Sequence, residues 1–167
     1  NTDVNLYYSC VVQKIIEDRQ ITKVFGFHKF KKSDQDVQEL EIRSSNINRM
    51  PNYLIDKFMN LKVIKIRGIV EVLAFQDFQH LKNLEELYLP ENQIEFINSD
   101  TFKFNINLKR IDLGENPMSY IGVGAFWSPK NLEFLNIGGN SCLNFRGTGR
   151  KEIENFFNEQ KKFDCFR

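Results

Sequence analysis

The sequence of 167 residues predicts one α/β domain folded as a solenoid, in which about five repeats build a parallel β-sheet on the concave face. Three observations predict this fold. Leu, Ile or Val occupies the first, fourth and sixth positions of a segment that returns every 23 or 24 residues. An Asn stands later in most of these segments, and the chain contains 16 Phe but only 1 Trp. Apolar positions that recur at such a period are typical of a chain that stacks one structural unit on the next.

The apolar triplets define five repeats over residues 37–142, between an N-terminal cap over 1–36 and a C-terminal cap over 143–167. Side chains alternate between the two faces of a strand, so the fourth and sixth positions share a face while the first lies where the chain turns. We therefore expect about three residues of each repeat in the sheet. The repeats start at 37, 61, 84, 108 and 132, and the triplets are Val37, Leu40, Ile42; Leu61, Ile64, Ile66; Leu84, Leu87, Leu89; Leu108, Ile111, Leu113; and Leu132, Leu135, Ile137.

The ninth position of the repeat carries a polar side chain that can bind the backbone. These residues are Ser45, Asn92, Asn116 and Asn140. The chain bends away from the strand at this point, where backbone groups would be buried without a partner. We expect each Asn amide to bind such groups, because it carries both donors and an acceptor.

A slot six residues before each new repeat takes a large apolar side chain. Its residues are Ile55, Phe78, Phe102 and Phe126. Because the slot recurs at the same place in each repeat, we expect its side chains to form a spine through the core. The excess of Phe is then largely structural.

Both ends of a solenoid need a cap. The apolar stretches 6–12 and 21–27 flank a polar segment and predict a β-hairpin whose second strand begins the sheet. At the other end, Thr148 is a candidate N-cap for a helix over roughly 150–162. An apolar stripe on that helix, at the spacing i, i+3 and i+4, would cover the last repeat. The stripe consists of Ile153, Phe156 and Phe157.

Three segments carry a family resemblance: LEELYLPENQI (84–94), LKRIDLGENPM (108–118) and LEFLNIGGNSC (132–142). They resemble extracellular leucine-rich repeats, and the resemblance extends over 37–142. The period of 24 residues and the Phe slot are similar to the class found in secreted proteins. Few repeats, many Phe and Asn, and a cap that reads NSCLNF before a helix and a Cys resemble the leucine-rich immune proteins of mosquitoes and midges. The resemblance implies an extracellular protein that works by recognition.

The 3 Cys allow at most one disulfide within the chain. Cys142, in the last repeat, and Cys165, after the predicted helix, are placed to tie down the C-terminal cap with a bridge that contributes about 3 kcal/mol. Extracellular relatives often close the N-terminal cap with paired Cys, whereas Cys10 has no local mate. It is either a buried free thiol or the site of an interchain disulfide with a partner or a second copy.

The sequence offers little for catalysis. His28 and His80 are the only His, and neither has a Ser or Cys partner at a suggestive spacing. The chain has no GxSxG, HExxH, P-loop or GxGxxG motif, and no CxxC or Cys/His cluster for zinc. We therefore expect no enzyme activity, no cofactor and no metal.

The charge balance argues against whole classes of partner. The 23 Lys and Arg nearly cancel the 22 Asp and Glu, which leaves a net charge of +1 and no overall attraction to nucleic acid or an anionic membrane. We also expect no insertion into a membrane. The chain starts at Asn1 without an initiator Met or an apolar leader, as a mature secreted product would, although a boundary within a longer protein would look the same.

The residues between the buried positions of each strand form columns across the sheet, and these columns are the predicted binding face. Basic side chains gather at one end and acidic ones in the middle, while Tyr88 and Phe134 are expected to be exposed anchors. The alternative is an ordinary solvated sheet exterior with single exposed aromatic residues. The candidate ligand-binding residues are Glu39, Glu41, Arg43, Lys65, Arg67, Glu86, Tyr88, Arg110, Asp112, Phe134 and Asn136.

We predict a secreted, non-catalytic module that recognises a protein, a microbial surface or a cell surface, with a role in insect innate immunity implied by the resemblance. Two alternatives remain open. The first is an extracellular structural or adhesion module, dimeric through Cys10, which should bind cells or matrix. The second is an inhibitor of a secreted enzyme, which should lower a target activity at stoichiometric concentration.

Overall fold

The computed structural model describes residues 8–12, 32–43, 47–141 and 143–159. These residues form one sheet of seven strands and one of three. The large sheet contains, in spatial order, β1 (Ser9–Val12), β2 (Glu39–Arg43), β3 (Val63–Arg67), β5 (Glu86–Tyr88), β7 (Arg110–Asp112), β9 (Phe134–Asn136) and β10 (Arg146–Thr148). The small sheet contains β4 (Val72–Leu73), β6 (Phe96–Ile97) and β8 (Tyr120–Ile121). The helices are α1 (Asn52–Ile55), α2 (Phe75–Phe78) and α3 (Arg150–Glu159), with a 3₁₀ turn at Asp34–Asp36.

Equivalent positions of successive repeats lie side by side in the large sheet. Strands β2, β3, β5, β7 and β9 pair in parallel, so that Leu40 lies beside Ile64 and Leu87 beside Ile111. The first two of these strands have five residues and the other three have three. This register confirms the predicted solenoid with a parallel sheet. The short strands follow from the triplet, because only its fourth and sixth positions can point to one face.

The apolar triplets and the Phe slot together build the core. All triplet side chains are at most 1% exposed. The Phe102 ring lies 5.4 Å from the Phe78 ring and 5.8 Å from the Phe126 ring, measured between centroids. The Phe157 ring of α3 continues this spine, 5.5 Å from Phe126. The spine therefore joins the last repeat to the cap.

The Asn residues of the ninth position form a ladder that links neighbouring repeats, as predicted. Asn116 Oδ1 accepts a hydrogen bond from the Ile94 N–H at 3.1 Å, and Nδ2 donates to the Leu89 carbonyl at 3.0 Å. Both partners belong to the preceding repeat. Asn92 and Asn140 make the same kinds of bond one repeat away on either side. The ladder satisfies backbone groups where the chain leaves the sheet.

The C-terminal cap contains the predicted helix, and one further strand precedes it. Ile153 of α3 is 1% exposed, so the helix does cover the core. Strand β10 pairs antiparallel with β9, which the sequence did not predict. Thr148 ends this strand and is therefore not the N-cap. Gly149 turns the chain into α3 with φ of 84°, and the Thr148 N–H donates to Glu152 Oε2 at 2.8 Å.

The N-terminal cap places a different strand beside β2 from the one predicted. Strand β1 pairs in parallel with β2, and Ser9 lies beside Glu39. The prediction placed the segment 21–27 at the start of the sheet, but β1 occupies that edge. A parallel pair needs a long connection, and the chain between β1 and β2 is long enough to supply it. The segment 21–27 itself lies outside the described residues, as do Ser45, Cys142 and Cys165 with their predicted disulfide.

No helix among the described residues has the length and apolar character needed to cross a membrane. The longest, α3, has 10 residues.

Candidate functional site

All the predicted binding residues lie on strands of the large sheet, at the third, fifth and seventh repeat positions. We call the surface formed by these positions the concave face. Two in-register columns run along it. The third-position column is Glu39, Val63, Glu86, Arg110 and Phe134, and the fifth-position column is Glu41, Lys65, Tyr88, Asp112 and Asn136. Val63 is buried. Most of the other residues in the two columns have polar or charged side chains.

The N-terminal end of the concave face holds ion pairs. Lys65 Nζ lies 2.8 Å from Glu39 Oε1 on the neighbouring strand, and Arg43 Nε lies 2.6 Å from Glu41 Oε1. Arg67, in the seventh position of β3, is exposed. This end is therefore less basic than its count of cations suggests, because two of the three are paired with a carboxylate.

A groove crosses the middle of the face. Lys65, Arg67, Tyr88 and Asp112 contribute side chains of both charges and one aromatic ring to its lining. The Lys65 ammonium lies 5.9 Å from the centroid of the Tyr88 ring, close enough for a cation–π contact.

Tyr88 is the hub of the face. Its hydroxyl donates to Glu86 Oε2 at 2.6 Å and accepts from Arg110 Nε at 3.1 Å. Burial, and next the hydrogen bond to Glu86, raise the pKa of Tyr88 to about 12. The phenol therefore stays neutral throughout the physiological range and is held in a fixed position. The Tyr88 side chain is half-buried, so it is less exposed than the sequence predicted for an anchor residue.

Phe134 is not the exposed anchor that the sequence predicted, because it is only 7% exposed. The guanidinium carbon of Arg110 lies 4.4 Å from the centroid of its ring, and that of Arg146 lies 5.8 Å from it. Arg146 belongs to β10, the strand that the sequence analysis missed. A short alternating segment before Gly149 was the signal that could have revealed it.

The side chains of Asp112 and Asn136 accept hydrogen bonds from backbone N–H groups and also bind each other. Asp112 Oδ1 accepts from Asn136 Nδ2 at 2.8 Å and from the Gly114 N–H at 3.1 Å. Asn136 Oδ1 in turn accepts from the Gly138 N–H at 3.0 Å. A Cβ at position 114 would come within 2.5 Å of Asn136 Nδ2, so a larger residue there would displace the Asn136 amide from Asp112. The acidic middle of the face is therefore tied into the sheet.

A charge column at the second repeat position was also missed by the sequence analysis. Glu85 lies 2.7 Å from Lys109 Nζ and 3.4 Å from Lys62 Nζ, on the neighbouring repeats to either side. The hydrogen bond from Lys109 is the main reason that the pKa of Glu85 is lowered. The alternation of charge at successive second positions could have predicted these pairs. They lie beside the third-position column and stabilise the repeat stack.

The described residues show no assembled metal or catalytic centre. No three His, Cys, Asp or Glu in this part of the chain lie together as metal ligands would. His80 is exposed, and His28 lies outside the described residues. The absence of enzyme activity, cofactor and metal stays a prediction.

Cys10 lies in β1 as a free, half-buried thiol. Burial, and next the charge of Asp34, raise its pKa above the usual value. The thiolate is therefore scarce at neutral pH, which makes the thiol a poor nucleophile. This geometry gives no support to an interchain disulfide.

Comparison with known proteins identifies the repeats. The Leucine rich repeat family model matches residues 82–141, and no curated protein matches the sequence. Among solved structures, an internalin (inlF) from Listeria monocytogenes is similar, with a TM-score of 0.48 and 17% identity over 64% of this chain and 29% of that one. A chain of the TLR13–ssRNA13 complex gives a TM-score of 0.48 and 20% identity over 65% and 20%. A chain of the Drosophila Toll–Spatzle complex gives 0.44 and 17% over 62% and 17%.

The chain spans less than a third of the length of each of these three structures. The family match and the register described above agree on the architecture. The described fold is a leucine-rich-repeat solenoid with its parallel sheet on the concave face.

Proposed function

We propose that this chain is a non-catalytic recognition module that binds a protein ligand through the concave face. One observation carries the proposal: five in-register strands present a continuous surface whose polar and aromatic side chains are already fixed by one another. The bonds from Tyr88 to Glu86 and from Lys65 to Glu39 are examples. Fixed side chains lose little conformational entropy on binding, so such a face is suited to recognition.

The chemistry of the face favours a protein over a small molecule. The lining of its groove mixes Lys, Arg, Asp and Tyr. Small-molecule sites are usually concave and mostly apolar, whereas protein interfaces combine Tyr and Arg with a polar rim.

Site-specific photo-crosslinking tests this proposal. Benzoylphenylalanine would replace Arg67, which is exposed beside the groove, and in a control it would replace Ile106, which is 57% exposed in the segment between β6 and β7. Each protein would be irradiated with extracellular proteins of the producing organism, and adducts identified by mass spectrometry. We expect discrete adducts from position 67 and few from position 106. Adducts from position 106 alone, or from neither position, would overturn the concave face as the binding surface.

We further propose an extracellular location and a role in innate immunity. The support is the resemblance of the repeats and the C-terminal cap to secreted insect immune proteins. Intact mass of the naturally produced protein, with and without reduction and thiol alkylation, tests the location. One alkylatable thiol and one internal disulfide are expected, whereas three free thiols would contradict an oxidising compartment.

A disulfide-linked dimer in the same measurement would favour the structural or adhesion alternative. For the immune role, the protein should sediment with bacterial or fungal cells, and an Arg67→Glu variant should sediment less. Equal sedimentation of both proteins, or of neither, would contradict recognition of a microbial surface by this face.

A further inference from the structure

Two cations converge on one aromatic ring at the C-terminal end of the concave face. Arg110 reaches Phe134 from β7, and Arg146 reaches it from β10. Cation–π attraction helps to hold each guanidinium near the ring. It does not use the N–H donors at the edge of the guanidinium plane, so these stay available to an acceptor.

Most of these donors have no acceptor in the described part of the chain. A guanidinium carries five N–H groups. Arg110 donates from Nε to the Tyr88 hydroxyl, which leaves its terminal nitrogens without a described partner. The side chain of Arg146 has no hydrogen bond or ion pair with any described residue, and it is exposed.

The nearby carboxylates of the concave face do not neutralise the pair. Glu86 accepts a hydrogen bond from the Tyr88 hydroxyl, and Asp112 binds a neighbouring amide and a backbone N–H. Neither forms a salt bridge with the two arginines among the described residues. The end of the face therefore holds two positive charges that form no ion pair within the described part of the chain.

We propose that Arg110 and Arg146 together bind a carboxylate of the protein ligand, on a floor made by the Phe134 ring. This inference rests on the proposed function and names the chemistry of its ligand. A carboxylate is planar and accepts paired N–H bonds from a guanidinium, so it matches the donors that are left over. The Tyr88 hydrogen bond and the buried ring hold the Arg110 side chain in place before the ligand arrives.

The charge pattern favours an acidic protein surface over a polyanion. A sulfated glycan or nucleic acid carries negative charge along its whole length. Such a chain would run from the two arginines onto Glu86 and Asp112, which would repel it. A protein can place one or two carboxylates opposite the arginine pair and basic or neutral groups opposite the acidic middle.

A defined carboxylate probe tests the inference directly. The probe is a peptide with blocked ends that carries two adjacent Glu residues between neutral Gly and Ser residues, titrated by calorimetry and by NMR of ¹⁵N-labelled Arg side chains. The test variant is Arg110→Gln plus Arg146→Gln. The matched control is Lys130→Gln plus Lys151→Gln, which removes the same charge from two exposed residues outside the face.

We expect the Nε resonances of Arg110 and Arg146 to shift on titration, and the dissociation constant to rise about tenfold or more in the arginine variant. It should change by less than about twofold in the lysine control. Arg146→Gln alone, at an exposed site, should already show part of the loss if the paired variant proves unstable. Equal weakening in both double variants, or no binding up to about millimolar peptide, would overturn the inference.

Two further measurements separate the possible failures. Tighter binding of a heparin-derived hexasaccharide than of the Glu peptide, lost in the arginine variant, would replace the carboxylate with a sulfated glycan. The crosslinking assay at position 67 is then repeated with both arginines changed. Adducts that persist at full yield would leave the concave face as a binding surface but reject the arginine pair, whereas no adduct from either protein would reject the concave face itself.

Discussion

Replacing Phe102 with Ala removes a ring from the middle of the spine. Phe102 is 0% exposed, and its ring lies between the rings of Phe78 and Phe126 at 5.4 Å and 5.8 Å. Truncating a fully buried Phe costs about 3–5 kcal/mol, from lost burial and from the cavity left behind. The two ring contacts each add about 0.5–1.5 kcal/mol beyond burial, so we expect the upper part of that range.

Urea unfolding followed by circular dichroism gives the measurement. With a slope of about 2–3 kcal/mol per molar urea, a loss of about 4 kcal/mol lowers the midpoint by roughly 1.3–2 M. Phe104→Ala is the control, because this residue of the same repeat is 43% exposed and should cost only about 1 kcal/mol or less. If Phe102→Ala leaves too little folded protein to measure, Phe102→Leu should show a smaller loss. An unchanged midpoint for Phe102→Ala would refute the register on which the fold rests.

Three more predictions concern the ladder, the face and the charge column. Asn116→Ala should cost about 1–3 kcal/mol in urea unfolding because it leaves buried backbone groups unpaired, whereas Asn107→Ala, which loses one exposed bond to a carbonyl, should cost well under 1 kcal/mol. Equal losses would argue against the ladder. Absorbance at alkaline pH should show one tyrosine that ionises near 12 and is missing in Tyr88→Phe. Because the folded state prefers the neutral phenol, the stability from Tyr88 is full below about pH 10 and falls as the pH rises towards 12. Glu85→Gln should cost up to about 1 kcal/mol at neutral pH, since the pair with Lys109 is largely solvated. The lowered pKa of Glu85 means that this contribution is present above its unfolded pKa and lost as the pH falls through the folded one, so the two proteins should converge in acid.

The prediction from the sequence that Phe134 is exposed was wrong. Its position in the third column is the one predicted, next to Arg110. The column alone places the side chain on the solvent side of the sheet, which is why exposure was expected. In the structure, the guanidinium carbon of Arg110 lies 4.4 Å from the ring centroid, and Arg146, whose strand pairs antiparallel with β9, places a second guanidinium near the ring. Because Phe134 is 7% exposed, Phe134→Ala should lower the free energy of unfolding, whereas truncating an exposed Phe would change it little.

The regular part of the molecule was predictable because each repeat contacts mainly its neighbours. A fixed spacing of Leu, Asn and Phe then determines the strand register, the buried positions and the hydrogen bonds of Asn116 without knowledge of distant contacts. The ends of the stack behave differently. Strand β1 lies in parallel beside β2, and β10 reverses direction beside β9. Neither β1 nor β10 carries the repeat pattern, so the sequence did not predict the position of either strand in the sheet.

The sequence by itself determined the leucine-rich-repeat solenoid, its core and the residues that line its concave face, because periodic apolar positions can be satisfied by few arrangements. Only the tertiary structure decided which of those residues are free to bind. Side chains on neighbouring strands neutralise or cover one another at distances of a few ångströms, as Glu39 does to Lys65. The two arginines at Phe134, which form no ion pair with a described residue, also come together only in the folded chain, because a non-repeating strand brings Arg146 to the ring. Such pairings depend on cross-strand geometry at one point, and a periodic pattern does not encode them.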